Sequence, residues 1–296
     1  MVLTDLFAFV WNHPLNAANR PAAIGRLIRW QIASRILPAP VALPFVEDTR
    51  LLTTRGMAGA TGNWYSGLHE AADMAFVLHL LRPGDTFADV GANIGSYTIL
   101  AAGGVGAKVT SIEPIPATFA HLERNIALNG LGERVRAVQC GLSDAPGTAR
   151  FTTHLDNMNH IVSEATSGSL GEATSGSLEV PLRTLDDLMG ADVPALIKVD
   201  VEGHEPSVLK GATRTLADPR LLAAVIEASE ERGSNDAQVA DIMRASGFEE
   251  TGYDPFARAL IAPARAARNM IFIRDRDAVA RRVTGARRYR LVNGEI

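Results

Sequence analysis

The chain has 296 residues, enough for one large α/β domain with an extension, and 47% of them are hydrophobic, enough for a sizeable core. Its formal charge of −4 gives no reason to expect nucleic acid, and its single cysteine, Cys140, excludes an internal disulfide framework and fits a reducing cytoplasm. No uninterrupted apolar run reaches membrane-spanning length and the N-terminus lacks a signal-peptide pattern, so a soluble cytoplasmic protein is expected.

Residues 1–60 read as a helical extension and linker. Ile24, Leu27, Ile28, Ile32 and Ile36 recur at helical spacing, with Arg20, Arg26 and Arg29 mostly off that stripe. The stripe is expected to pack on the body of the domain; a basic amphipathic helix on a membrane surface or a partner is the other reading. Pro38, Pro40 and Pro44 end the helix and start an extended segment. A largely buried helix follows from Ala71 to Leu81, closed by the turn at Arg82-Pro83-Gly84-Asp85.

The stretch from Thr86 to Thr98 organises the rest. A buried strand (Phe87, Ala88, Val90) runs into the tight turn Gly91-Ala92-Asn93-Ile94-Gly95, and an apolar helical run opens after it. A strand feeding a glycine turn that starts a helix is the nucleotide-cofactor corner of a Rossmann-like sheet. Dinucleotide binders present bare amides to a pyrophosphate. Here Asn93 replaces the middle glycine and Asp89 precedes the turn, and an anion there repels a pyrophosphate. It suits a ligand with an ammonium and a sulfonium, as in S-adenosylmethionine (SAM). The next strand, Lys108 to Ile112, ends in Glu113, where an acid takes ribose hydroxyls in this architecture.

Further on, a helix runs from about Pro116 to Asn129, and a strand from Val135 to Gln139 precedes Cys140, read as a small buried residue. The segment Glu164 to Leu170 is repeated unchanged as Glu172 to Leu178, and its Ser/Thr/Gly content predicts a mobile surface loop. Ala195 to Asp200 reads as the fourth strand and Leu221 to Glu227 as the fifth. Ligands in open α/β sheets sit beyond the carboxyl ends of the strands, which places Asp200, Glu202 and His204 to act. Glu202 and Glu205 can equally serve the dipole of the helix that follows, and His204 can merely cap or pack. The arginine-rich residues 276–296 read as a basic tail, a solvated face in the first reading and a site for an anionic partner in the other.

The order and spacing of Asp89-Val-Gly-Ala-Asn-Ile-Gly-Ser-Tyr97, Glu113-Pro-Ile-Pro116, Asn125-Ile-Ala-Leu-Asn129, Leu142-Ser-Asp144 and Lys198-Val-Asp-Val-Glu-Gly-His-Glu205 resemble the FkbM family of SAM-dependent methyltransferases, from about Asn63 to Arg274. The resemblance implies an α/β class I methyltransferase fold: a Rossmann-like, mostly parallel sheet with an antiparallel edge strand, Asn269 to Arg274. The methyltransferase domain then spans 61–275. It implies methyl transfer to a hydroxyl of a small-molecule or glycan acceptor, with S-adenosylhomocysteine as product. Cofactor-binding residues are expected to be Glu70, Asp89, Gly91, Asn93, Gly95, Ser96, Tyr97, Glu113, Pro114 and Asp200. Leu142, Ser143 and Asp144 are expected beside the adenine, where a simple turn is the rival reading. Tyr65 and Glu70 either reach the methionyl end or form a packed aromatic and a helix-end carboxylate. Asn157, Met158, Asn159 and His160 stand where the family often places acceptor-facing residues.

The catalytic residues expected are Asp200, Glu202 and His204, with Asp200 or His204 as the base for an in-line displacement. Mg²⁺ held by Asp200, Glu202 and Glu227 is the alternative, and the metal-free route is preferred because those ligands lie on two separate strand ends. From other classes, a non-catalytic SAM-binding scaffold and a dinucleotide oxidoreductase compete with this reading.

Overall fold

Strands apolar on both faces belong in a parallel sheet covered by helices on both sides. The computed structural model, which describes residues 3–37, 39–152, 177–228, 233–264 and 268–296, has this arrangement. Helices α1 (Leu3–Asn12) and α2 (Arg20–Ile36) precede a hairpin of β1 (Val41–Pro44) and β2 (Arg50–Thr53), then α3 (Ala58–Ser66) and α4 (Ala71–Leu80). The main sheet begins with β3 (Thr86–Val90), β4 (Lys108–Ile112) and β5 (Val135–Val138), with α5 (Ser96–Ile99) after β3 and α6 (Pro116–Leu128) after β4. A side sheet of β6 (Gly141–Leu142), β7 (Gly147–Thr152) and β8 (Ser177–Arg183) intervenes. The main sheet is completed by β9 (Leu196–Val199), β10 (Ala223–Glu227), β11 (Glu249–Asp254), β12 (Ala259–Ile261) and β13 (Asn269–Ile273).

The order across these eight strands is β12-β11-β13-β10-β9-β3-β4-β5. Strands β3, β4, β5, β9 and β10 are parallel, and β13 runs antiparallel to β10. The antiparallel strand read at the edge is therefore present, and β11 and β12 extend the sheet beyond it. The chain walks outward from β3 to β5, then returns to place β9 on the other side of β3. That reversal opens a crevice at the carboxyl ends of β3 and β9.

Alternation along the strands divides the core. Phe87, Leu196 and Val225 face one cluster, with α4 and the turns after α5, while Ala88, Ile197 and Ile226 face the other. Lys198 and Asp89 are register partners on neighbouring strands, so the two charges lie side by side in the sheet.

Three expectations are corrected. First, α2 buries Ala23, Leu27 and Trp30 against Val10 and Tyr65, and exposes Ile28, Ile32 and Ile36. An i, i+4 row drifts around the helix by roughly 40° per step, so most of the predicted stripe turns away from a narrow contact. Second, the proline-bearing linker contains a paired hairpin, β1–β2, rather than an extended run; Pro38 itself lies outside the described residues. Third, residues 276–296 form a helix, Arg276–Thr284, and a hairpin, with Val279, Val283, Tyr289, Leu291 and Ile296 buried in the main core. Their arginines find acids: Arg282 pairs with Asp85 and Arg287 with Glu47.

The tandem repeat lies outside the described residues except for Ser177 and Leu178, which open β8, and so do Asn157, Met158, Asn159 and His160. No helix among the described residues is long and apolar enough to cross a membrane.

Candidate active site

The crevice is built first by backbone. Gly91 has φ 75°, and a Cβ there would lie 1.8 Å from the Asp200 carbonyl oxygen, so only glycine lets the end of β9 approach the turn. Asn93 also sits in the left-handed region (φ 51°), its Oδ1 accepting from the Ile94 N–H at 2.7 Å. Gly95 serves packing: a Cβ would meet Leu122 Cδ1 of α6 at 2.6 Å.

Glu113 closes this corner. Its Oε2 accepts from the Asn93 N–H at 2.9 Å and its Oε1 from the Ile115 N–H at 3.0 Å. Burial still outweighs these bonds and pushes its pKa up to about 7.

A second group surrounds Lys198, a buried cation on β9. Its Nζ lies 2.5 Å from Asp200 Oδ2 and 4.7 Å from the centre of the Tyr97 ring. Tyr97 donates its hydroxyl to Glu70 Oε2 at 2.6 Å, and Asp89 Oδ2 accepts from Thr98 Oγ1 at 2.6 Å. Burial alone would lower Lys198, but Asp200, Glu70 and Asp89 together raise it. Burial would conversely raise Asp200, and Lys198 holds it below the usual carboxylate range.

Glu227, at the end of β10, is pushed up to about 9 by burial and by the negative charge of Asp200. It also accepts from the Glu202 N–H at 3.3 Å. Asp200, Glu202 and Glu227 thus offer carboxylate oxygens within 4.8 Å of one another. The sequence-based objection that these ligands lie on separate strand ends is removed, because β9 and β10 are hydrogen-bonded neighbours.

Glu205 ties down the loop after β9, its Oε1 accepting from Val201 and Gly203 at 3.1 and 3.0 Å. His204 Nε2 lies 3.1 Å from Ser143 Oγ, which donates to Asp144 Oδ1 at 3.1 Å. Burial lowers the His204 pKa.

One cavity of 650 Å³ gathers most of the expected residues: Glu70, Asp89, Gly91, Asn93, Ser96, Tyr97, Glu113, Pro114, Leu142, Asp200, Glu202 and His204 all line it. Gly95, Ser143 and Asp144 do not; Gly95 faces α6, and Ser143 and Asp144 stand behind His204. Tyr65 also points elsewhere, packed against the N-terminal helices with its hydroxyl taken by Gln31 Nε2 at 3.4 Å.

Sequence reasoning missed Asn63, His69, Lys198, Arg55 and Arg268, which line the same cavity. Asn63 bridges two segments, accepting from the His69 N–H at 2.7 Å and donating to Ser96 Oγ at 3.4 Å. Lys198 carried a usable signal, since a charge inside the apolar run Ala195-Leu-Ile-Lys-Val199 must be paired when buried. The arginines carried none.

A strand order that reverses beside a glycine turn, with an acid after the second strand and carboxylates after the fourth and at the end of the fifth, is the Rossmann-like arrangement of a class I methyltransferase fold. The profile of the Methyltransferase FkbM domain matches residues 89–254, and the chain belongs to that family. Methyltransferase sdnD of Sordaria araneosa is 29% identical over 191 residues, covering 55% of this chain and 73% of that protein. The 31-O-demethyl-FK506 methyltransferase FkbM of Streptomyces tacrolimicus is 32% identical over 197 residues, 57% of this chain and 74% of that protein. Hexuronic acid methyltransferase AglP of Haloferax volcanii is 32% identical over 147 residues, 49% of this chain and 56% of that protein. The dinucleotide oxidoreductase reading falls with this membership.

Proposed function

We propose that the enzyme transfers the SAM methyl group to a hydroxyl of a sugar, glycan or natural-product acceptor. The observation that carries this reading is that the Gly91–Glu113 corner and the Lys198–Asp200–Glu227 cluster open on one cavity, with His204 beside them. Relatives named for 31-O-demethyl-FK506 and for a hexuronic acid support the acceptor class.

The residues present fit the cofactor. Each Glu113 oxygen spends one lone pair on a backbone N–H and keeps another for a ribose hydroxyl. Asp89 and Glu70 would hold the cationic methionyl part, and Leu142 would give the adenine an apolar wall. When bound, SAM supplies an electrophilic methyl on a sulfonium.

An alcohol attacks poorly until its proton leaves, and a positioned base is worth roughly 10²–10⁴-fold. Asp200 is a weak candidate, because Lys198 already stabilises its charge, and Glu227 keeps its own proton at neutral pH. His204 is neutral there. With the Ser143 hydroxyl committed to Asp144, the His204 Nε2–H donates to Ser143 and leaves Nδ1 as the free lone pair. His204 is therefore assigned as the base, and Asp200 and Lys198 as the groups that shape the floor of the cavity. The convergence of Asp200, Glu202 and Glu227 favours a second reading, in which a divalent cation acidifies the acceptor hydroxyl.

The test is a cell extract incubated with the protein and isotope-labelled SAM, followed by mass spectrometry. Label on the oxygen of a glycan or small molecule supports the reading. Label confined to carbon or nitrogen, or tight S-adenosylhomocysteine binding with no transfer in any extract, rejects it.

A further inference from the structure

The N-terminal pair of helices exposes more large apolar side chains than the rest of the described molecule. Phe7 and Trp11 of α1 are 46% and 41% exposed, and Ile28, Ile32 and Ile36 of α2 are 53%, 55% and 70% exposed, followed by Leu37 at 54%. The three isoleucines recur every fourth residue, opposite the Ala23–Leu27–Trp30 line that α2 buries. They form a solvent-facing ridge.

The ridge is bracketed by positive charge. At about 100° per residue, Arg29 lies about 60° to one side of Ile32 and Arg35 about 60° to the other. Arg35 is held on the helix surface, its guanidinium donating to Gln31 Oε1 at 2.8 Å. On α1, Phe7 stacks on Trp11 with ring centres 5.8 Å apart, and the Arg20 guanidinium lies 5.6 Å from the Trp11 ring. Between Asp5 and Glu47 the sequence carries Arg20, Arg26, Arg29 and Arg35 and no acidic residue, in a chain whose formal charge is −4.

We infer that the outer face of α2 docks on an anionic lipid surface. An apolar ridge with arginines on both shoulders matches the boundary between acyl chains and phosphates: the isoleucines enter the first and the guanidinium groups reach the second. A second copy of the chain is a poorer occupant, because a two-fold pairing of this face would set arginines against arginines. The geometry also links the face to the cavity. Gln31 and Arg26 of α2 hold Tyr65 of α3, and Ala58, Gly59, Ala60 and Asn63 of α3 line the cavity. Docking through α2 thus sets the cavity one helix away from the headgroups.

The experiment is sedimentation of the full chain with vesicles of phosphatidylcholine, with and without phosphatidylglycerol. Binding is expected to the anionic vesicles, to weaken with added salt, and to be much lower on phosphatidylcholine alone. Replacing Ile28, Ile32 and Ile36 together by serine, or Arg29 and Arg35 together by glutamate, is expected to lower partitioning about tenfold or more. Circular dichroism melting is expected to stay unchanged in both variants, because every altered side chain faces solvent. The inference is overturned if the protein stays in the supernatant with both vesicle types, or if both variants bind as well as the parent. Sedimentation equilibrium showing self-association that the serine variant abolishes, without vesicle binding, also overturns it and assigns the face to a second copy.

Discussion

Lys198 Nζ stands 2.5 Å from Asp200 Oδ2, two residues on and just past the end of β9, with the lysine side chain 3% exposed and the aspartate 34%. Residues two apart in extended chain share a face, so the lysine pairs with Asp200 and lies on the same side of the sheet as its register partner Asp89, whose charge also acts on it. Removing the cation leaves the buried Asp89 and the half-buried Asp200 without compensation. Lys198→Met is expected to cost about 3 kcal/mol of stability, read by chemical denaturation, and to slow turnover. A variant as stable as the parent would show that Asp89 and Asp200 are neutralised some other way.

The Glu113 carboxyl, raised to about 7, makes cofactor binding depend on pH. Its ordinary value is 4.5, so the folded protein holds the proton longer and the diol-accepting carboxylate gains population as pH rises through 7. S-adenosylhomocysteine affinity, measured by calorimetry, is therefore expected to climb from pH 6 to about 8 and then level off. Glu113→Gln should bind about tenfold or more weakly and lose the pH dependence, since a charge-assisted hydrogen bond is worth roughly 1.5–3 kcal/mol.

Glu227 makes a stability prediction of definite sign. Its pKa is about 9 folded against an ordinary 4.5, so the native state binds the proton more tightly than the unfolded chain. That contribution is fully present below the unfolded value and fades as pH rises through the folded one. Melting temperature is expected to fall between about pH 5 and 9, and Glu227→Gln to flatten that slope. An unchanged slope in the variant would place the proton elsewhere.

The base and the metal part ways in a fourth experiment. With His204 as base, EDTA leaves the rate unchanged, and His204→Ala lowers kcat by roughly 10²–10⁴-fold with little change in S-adenosylhomocysteine affinity. The rate rises with pH through a value below 6.5, because burial lowers the histidine. Loss of activity in EDTA with recovery on adding Mg²⁺, and only a modest effect of His204→Ala, would instead assign the Asp200–Glu202–Glu227 cluster to a cation.

The strand, the Gly91–Gly95 turn, Asp89 and Glu113 were legible in the sequence because they depend on short-range geometry. A buried strand, a turn that needs left-handed backbone and an acid at the next strand's end each leave a local pattern. The family resemblance rests on the same segments, and the matched residues, 89–254, begin at Asp89. What tertiary structure alone decided involves side chains brought together by sheet order and helix docking. Lys198 became the centre of a charge cluster only once β9 lay beside β3, and Glu227 met Asp200 only once β10 lay beside β9. Tyr65 left the cavity because α1 and α2 cover its side of α3, and Ile28, Ile32 and Ile36 faced outward because that same contact is narrow. The arginine-rich C-terminus became part of the core because Val279, Val283 and Tyr289 found apolar partners distant in sequence. Periodicity says which residues share a face; only packing says what, if anything, covers it.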